Sequence, residues 1–139
     1  MQEPTELDFA YMAGFFDGEG CISTHTSNIN GMTITINITN TKIEVLEWIK
    51  ERFEGSYILD KKSVSDKHKD AYTLMMTALP VIQKFVNSIY PYLIIKKPQA
   101  DIAKLYFESR KNCLKVGGTY KEVNLLIGES LRRLNKKGK

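Results

Sequence analysis

The sequence predicts an α+β domain in which helices cover one face of an antiparallel sheet. Residues 32–40 alternate between apolar and polar side chains, which is the pattern of a strand buried on one face only. Prolines and glycines divide the chain into strand-like and helix-like stretches in the order α-β-β-α-β-β-α-α-α. Strands that follow one another in pairs form an antiparallel sheet, whose second face is free to contact water.

Length and composition narrow the class of protein. The 139 residues are enough for one domain, and we expect residues 1–135 to form it and residues 136–139 to be a basic tail. Twenty Lys and Arg against sixteen Asp and Glu give a net charge of +4, which favours a polyanionic partner. The two cysteines lack metal-ligand spacing, and no apolar run approaches the roughly 18 residues of a membrane span. We therefore expect a soluble intracellular protein, in the cytoplasm or in an organelle matrix or stroma, with no membrane partner.

The first helix is predicted over residues 6–16. Thr5 and Asp8 have the spacing of an N-terminal cap, and Gly18 and Gly20 are expected to end the helix. Gly14 and Gly18 are four residues apart and lie on one helical face, where small residues let a second helix come very close.

The rest of the chain is predicted from caps and prolines. Thr41 and Glu44 have the spacing of a capping box for a helix over about residues 42–53. Prolines begin the next helices, over about residues 80–90 and 98–112, and the second is expected to be buried through Ile102, Leu105 and Tyr106. The remaining elements are strands at about 22–28, 32–40, 56–62 and 70–77, a polar loop at 63–69, and a last helix from the Thr119–Glu122 cap to about 134.

A pair of carboxylates follows the first helix, in the string Met12–Gly20. Asp17 and Glu19 are hard oxygen donors suited to Mg²⁺ or Ca²⁺, and the flanking glycines let backbone carbonyls approach a cation. An EF-hand is a poor fit because residues 21–26 alternate like a strand. The plainer alternative is an ordinary turn with solvated acids.

The nine residues from Met12 to Gly20 resemble the signature of the LAGLIDADG homing endonucleases. Met12 stands at the leading leucine position and Glu19 at the metal-binding acidic position, so the apolar and acidic characters are kept. Residues 91–100 are also similar to the family's segment of proline, aromatic and leucine followed by lysines and a Gln-Ala pair. The motif occurs once, and the order of elements matches over nearly the whole chain.

The resemblance implies a fold and an activity. Single-motif members are homodimers whose motif helices pack at the two-fold axis, and two antiparallel four-stranded sheets form a saddle on the DNA major groove, with extra C-terminal helices. Ala13, Gly14, Asp17 and Gly18 are the implied interface. The implied function is a site-specific homing endonuclease that makes a staggered double-strand break in a long pseudo-palindromic DNA site for intron mobility.

The resemblance also implies catalytic roles. Glu19 would bind the metal together with the Gly18 carbonyl, and the ion would be Mg²⁺ or another divalent cation such as Mn²⁺, with Ca²⁺ supporting binding without cleavage. Asn40 stands where the family has a glutamine that orders water at the attacked phosphate; the alternative is that it only precedes the next helix cap. Lys96 matches the active-site lysine, although Lys97 could take that role and Lys96 could be a solvated loop residue.

The polar face of the predicted sheet carries the candidate DNA contacts. These residues are Ser23, His25, Ser27, Thr33, Thr35, Asn37, Thr39, Lys61, Thr73 and Met75. Their hydroxyls and amides can pair with base edges, and Met75 can meet a thymine methyl group. Basic residues of the last helix, including Arg132 and Arg133, are candidate phosphate contacts.

Two other functions stay open at this point. An intron RNA maturase or a non-cleaving DNA-binding regulator could use the same fold, and the carboxylate at Glu19 argues against both. A third possibility, in which Asp17 to Gly20 is only a turn, would leave the protein without any nucleic-acid partner.

Overall fold

The computed structural model describes residues 3–27, 31–61, 70–116 and 121–137. Its helices are α1 (Glu6–Glu19), α2 (Ile43–Lys50), α3 (Leu79–Ile89), α4 (Lys97–Val116) and α5 (Lys121–Lys137). Its strands are β1 (Gly20–Ser27), β2 (Gly31–Asn40), β3 (Tyr57–Lys61) and β4 (Ala71–Met76). A short 3₁₀ turn, Tyr90–Tyr92, joins α3 to the segment before α4. The predicted order of helices and strands is confirmed.

The four strands form one antiparallel sheet in the order β1-β2-β4-β3. Residues on its inner face are buried under the helices: Ile22, Ile34, Ile36, Ile38, Leu74 and Met76. These are the apolar positions of the alternating pattern, so the pleat alone places them together. The predicted α+β class is confirmed.

Aromatic side chains join the helices above the sheet. Phe16 of α1 and Phe53, which follows α2, both meet Phe85 of α3 edge to face, with ring centroids 5.6 Å and 5.1 Å apart. All three rings are buried. Such pairs contribute about 0.5–1.5 kcal/mol each beyond the burial of their area, and here they join α3 to α1 and to the segment after α2.

Helix α1 begins as predicted and ends later than predicted. The Thr5 hydroxyl accepts from the Asp8 N–H, and the Asp8 carboxylate accepts from the Thr5 N–H, which is a complete capping box. The helix runs to Glu19, so Gly18 lies within it and only Gly20 is a cap. A Cβ at Gly20 would lie 1.9 Å from the Phe16 ring, so this close approach requires glycine.

The capping box predicted for Thr41 and Glu44 is wrong. The N-cap of α2 is Lys42, and its side chain makes no capping hydrogen bond. Instead, the side-chain oxygen of Asn40 accepts from the Lys42 N–H at 2.8 Å and orders the turn between β2 and α2. Asparagine commonly bonds its own backbone two residues on, and here that local bond replaces the box.

The buried face of α4 differs from the prediction by one position. Leu105 is 58% exposed, whereas Ala103, Tyr106 and Phe107 are buried. Helix α5 extends through Lys137 and therefore includes the first two residues of the predicted tail. The predicted loop at 63–69 and the Thr119 cap lie outside the described residues. No helix in the described ranges is long and apolar enough to cross a membrane.

Candidate active site

The carboxylate end of α1 lies at one corner of the sheet. Glu19 is the last residue of α1, and the next residue, Gly20, pairs with Ile38 near the end of β2. Because β2 ends at Asn40, Glu19 and Asn40 lie at the same end of the β1–β2 pair. Two residues that are twenty-one positions apart in the chain are therefore brought to one corner of the molecule.

Asp17 connects this corner to the segment that carries Lys96. Its carboxylate accepts two main-chain hydrogen bonds, from the Ile94 N–H to Oδ2 and from the Lys96 N–H to Oδ1, both at 2.9 Å. A carboxylate that takes two amides holds them more strongly than a neutral acceptor would. The three residues predicted to be catalytic therefore lie at the same end of α1.

Glu19 differs from Asp17 in its contacts. Its side chain is exposed and makes no hydrogen bond or ion pair with another described residue. The last turn of α1 contains no basic residue, and the final carbonyls of a helix, including that of Gly18, lack partners within the helix. The helix dipole adds negative potential at the same point, which favours a cation.

These donors fit part of a divalent-cation site. The Glu19 carboxylate and the Gly18 carbonyl are hard oxygen ligands, as Mg²⁺, Mn²⁺ and Ca²⁺ prefer. Among the described residues, however, no three His, Cys, Asp or Glu side chains cluster together. The described residues of one copy would therefore supply only part of a ligand set, and the remaining ligands would have to come from water, from substrate or from a second copy.

The Asn40 side chain makes a local hydrogen bond just before α2, which fits the alternative that it only precedes the helix cap. Its Oδ1 caps the turn at Lys42, and its pairing with Tyr72 places it in the same pleat as Ile38, on the helix side of the sheet. The side-chain NH₂ is the part of Asn40 left for another partner. A catalytic role for Asn40 stays a prediction.

Lys96 and Lys97, which are neighbours in the chain, make different contacts. The ammonium of Lys97 lies 5.0 Å from the centroid of the Tyr90 ring, and that of Lys104 lies 3.6 Å from it. The Tyr90 hydroxyl donates to Asp101, and this hydrogen bond raises the pKa of Tyr90. Lys97 is therefore engaged at the start of α4, whereas the backbone of Lys96 is held by Asp17. The catalytic role of Lys96 stays a prediction.

Eight of the ten candidate DNA contacts lie on the outer face of the sheet. The pairings Ser23 with Thr35, His25 with Thr33, Asn37 with Met75 and Thr39 with Thr73 place them opposite the buried isoleucines. The other two candidates, Ser27 and Lys61, pair with Gly31 and Ala71, and their side chains lie outside the described part of the chain. The contact of these residues with DNA stays a prediction.

Cross-strand hydrogen bonds orient several of these polar groups. The Asn37 amide donates to the Ser23 hydroxyl at 2.9 Å, and the hydroxyls of Thr39 and Thr73 are 2.9 Å apart. Thr35 is only 6% exposed, and its hydroxyl has no hydrogen-bond partner among the described residues. The two cross-strand bonds therefore orient four of the polar groups on this face, whereas the Thr35 hydroxyl is buried.

Comparison with known proteins identifies the family. A family model described as LAGLIDADG endonuclease matches residues 12–106, which is more than half of the chain. The chain belongs to this family. None of the curated proteins matches it.

Solved structures show the same LAGLIDADG fold. The archaeal intron-encoded homing endonuclease I-Vdi141I, complexed with DNA, has a TM-score of 0.73 and 21% identity, covering 93% of this chain and 84% of that one. The homing endonuclease I-TnaI has a TM-score of 0.64 and 21% identity, with 99% and 100% covered. I-CvuI, in complex with its target in the presence of Ca, has a TM-score of 0.64 and 18% identity, with 96% and 95% covered.

The interface predicted for this LAGLIDADG protein needs one correction. Ala13 is fully buried within the chain and is therefore not available to a second copy. Gly14 and Gly18 are exposed, and a Cβ added at either would meet nothing within 4 Å. Leu7 and Tyr11, 83% and 58% exposed, continue the same helical stripe toward the start of α1.

The sequence contains a signal for the stripe that Leu7 and Tyr11 form with the two glycines. Positions 7, 11, 14 and 18 repeat at helical spacing and define one face of α1, whereas Ala13 belongs to the buried face with Met12 and Phe16. The exposure of Leu7 and Tyr11 was the part that only the folded chain reveals.

Proposed function

We propose that this LAGLIDADG protein is a site-specific homing endonuclease that acts as a homodimer. It hydrolyses phosphodiester bonds in both strands of a long pseudo-palindromic DNA site and leaves a staggered double-strand break that serves intron mobility. One observation carries the proposal. The Asp17 carboxylate accepts hydrogen bonds from the main-chain N–H groups of Ile94 and Lys96. These bonds hold the segment that carries Lys96 beside the end of α1 that presents Glu19, at the margin of the polar sheet face.

The stripe Leu7, Tyr11, Gly14 and Gly18 supports the homodimer. Two large apolar side chains exposed beside two glycines form a surface on which a second helix can pack with its backbone very close. Packing α1 against its symmetry mate would bring the two Glu19 residues near the two-fold axis. Two carboxylates placed so closely repel each other unless cations lie between them.

The outer face of the sheet supports DNA as the substrate. Strand β2 has ten residues and spans about 33 Å at about 3.3 Å per residue, close to one turn of duplex. Two symmetric halves would cover about two turns and read a pseudo-palindrome, since the symmetry of a dimer is mirrored in its site. The hydroxyls and amides on this face are suited to base edges.

Each residue of the corner has a role in the proposed reaction. Glu19 and the Gly18 carbonyl would hold Mg²⁺, with Mn²⁺ as a substitute and Ca²⁺ supporting binding without cleavage. A bound divalent cation supplies charge neutralisation at the phosphate and lowers the pKa of a water. The Lys96 ammonium stabilises the negative charge that develops on the phosphate oxygens. The free NH₂ of Asn40 donates a hydrogen bond that orients a water, and Asp17 positions the backbone of Lys96.

The decisive experiment works without a known DNA target. Wild-type protein and Glu19→Gln are incubated with a randomised, palindrome-biased duplex library in Mg²⁺, and the cut ends are sequenced. We expect recurrent cuts related by a two-fold axis with the wild type only. Specific binding without cuts by the wild type would contradict the nuclease and favour a binding function on the same fold.

A further inference from the structure

A groove outside the candidate active site lies where the last helix meets the edge of the sheet. It has a volume of about 510 Å³ and is lined by Ser23, Thr24, Arg132, Asn135 and Lys136. The described residues of this lining include two basic side chains and no acidic ones. We call it the β1–α5 groove.

Two hydrogen bonds join the walls of the groove. The side-chain amide of Asn135 donates to the Ile22 carbonyl at 3.0 Å, and the Arg132 guanidinium lies 3.5 Å from the Thr24 hydroxyl. Because β1 is an edge strand, the bond from Asn135 covers part of an open strand edge. The same bonds hold the C-terminal turn of α5, and with it Arg132 and Lys136, against the side of the sheet.

The groove is continuous with the outer face of the sheet. Ser23 is shared by both, since it lies on the polar face and also lines the groove, while the next residue, Thr24, turns to the helix side. The groove therefore wraps around the outer edge of β1. A molecule that covers the polar face reaches the groove without leaving the surface of the protein.

The width of the sheet decides which part of a duplex would reach this edge. Neighbouring strands are about 4.8 Å apart, so the axes of the two edge strands, β1 and β3, are about 14 Å apart. The major groove of DNA is about 12 Å wide. When the polar face lies in the major groove, the outer edges of β1 and β3 are the parts of the sheet nearest to the two phosphate backbones.

We propose that the β1–α5 groove binds the phosphodiester backbone of the DNA duplex, with Arg132 and Lys136 as the cationic contacts. The inference rests on the proposed function, since it takes the polar face to be the DNA-binding face. The groove would act independently of base sequence, because phosphate contacts fix the position of the duplex on the sheet and add affinity for any DNA.

A simpler explanation for basic residues at this place is the helix dipole. Cations stabilise the C-terminal turn of a helix wherever on that turn they lie. Arg133 distinguishes a dipole effect from a phosphate site. It is exposed next to Arg132 in α5 but does not line the groove. A dipole effect treats Arg132 and Arg133 alike, whereas a phosphate site involves Arg132 and Lys136 only.

The test measures the salt dependence of binding to a duplex of arbitrary sequence, about 30 base pairs or roughly three helical turns long. Full-length wild type, Arg132→Gln/Lys136→Gln and the matched control Arg133→Gln are compared in EDTA, so that no cutting occurs. Each lost phosphate contact lowers the slope of log K against log salt by about 0.9. We expect the double variant to lose about 1.8 per protomer and Arg133→Gln to keep the wild-type slope.

The single variant Lys136→Gln tests whether a reduced slope comes from misfolding. Its side chain is exposed and makes no hydrogen bond with another described residue, so its loss leaves the packing of α5 intact. We expect it to lower the slope by about 0.9 per protomer at an unchanged melting temperature. Slopes equal to the wild type's, or the same loss in Arg133→Gln, overturn the inference. A wild type that binds no duplex at low salt overturns the proposed function as well.

Discussion

The two ends of helix α1 each carry two acidic side chains, and helix electrostatics favour only one of these pairs. At the N-terminus, Glu6 and Asp8 lie beside unpaired amide N–H groups, where negative charge stabilises a helix. At the C-terminus, Asp17 and Glu19 lie beside unpaired carbonyls, where negative charge is unfavourable, and no basic residue occupies that turn.

The partners of these acids sharpen the difference. Asp8 belongs to the capping box and forms an ion pair with Arg52 at 3.3 Å, which joins α1 to the end of α2. Asp17 is compensated by the two amides that it binds. Glu19 has neither a favourable position in the helix nor a partner among the described residues. A charge that the fold does not use is the one we expect to serve chemistry.

The largest effect is expected from Gly14→Leu, which blocks the approach of a second copy to α1. A Cβ added at Gly14 meets nothing within 4 Å, and Gly14 is exposed, so the variant should fold. We expect a monomer in sedimentation experiments and no double-strand cleavage. Gly14→Ala is the graded control: it should weaken the dimer less while raising monomer stability by up to about 1 kcal/mol. A Gly14→Leu protein that is still dimeric would remove the stripe from the interface.

A smaller loss of cleavage is expected from Lys96→Ala. Removing a cation that stabilises charge on the phosphate should lower the cutting rate by roughly 10²–10³-fold with little change in DNA affinity. Lys97→Ala is the matched control, and it should cut at nearly the wild-type rate because its ammonium lies over the Tyr90 ring. Single-turnover kinetics measure the cutting rate of each variant. A larger loss of rate with Lys97→Ala than with Lys96→Ala would assign the catalytic role to Lys97.

Asp17→Asn should affect both stability and rate. An asparagine keeps one acceptor and turns an NH₂ group toward a main-chain N–H of Ile94 or Lys96, so one amide loses its partner. We expect a loss of about 1–3 kcal/mol in the free energy of unfolding. Because Asp17 positions the backbone of Lys96, Asp17→Asn should also lower the single-turnover rate of cleavage and leave the DNA affinity unchanged. If Asp17→Asn is less stable but cleaves at the wild-type rate, Asp17 stabilises the fold and does not position Lys96 for cleavage.

Much of this fold follows from periodicity and caps that a sequence contains locally. The alternation of Ile34, Ile36 and Ile38 and the Thr5 capping box both rest on contacts between near neighbours, and both were predicted correctly. The Thr41–Glu44 box failed because Asn40 offered the backbone a competing local bond.

Contacts across long sequence separations could not be predicted in this way. No pattern in the chain connects Asp17 with the amides of residues 94 and 96, because that bond depends on how α3 and the 3₁₀ turn return the chain to α1. The burial of Ala13 and the exposure of Leu105 are similar cases, since neighbouring elements decide which flank of a helix stripe is covered.

The smallest effect is expected at the N-terminal end of α1, from Asp8→Asn. Hydrogen bonding from the Thr5 N–H, with the Arg52 guanidinium, lowers the pKa of Asp8 below its ordinary value of 3.8. The stabilisation is therefore present above about pH 4 and is lost as the pH falls through the lowered pKa. Urea unfolding of wild type and variant should differ at neutral pH and converge in acid, with cleavage unchanged at neutral pH. A difference that grows in acid would contradict this assignment.

The most direct test compares the stability and the activity of one variant, Glu19→Gln. Because Glu19 lies at the unfavourable end of the helix dipole, neutralising it should keep or raise the free energy of unfolding, by up to about 1 kcal/mol. Cleavage of the DNA site should fall by roughly 10³-fold or more, which corresponds to several kcal/mol of transition-state stabilisation. A variant that is less stable than the wild type but cuts at the wild-type rate would show that Glu19 serves the fold and takes no part in cleavage.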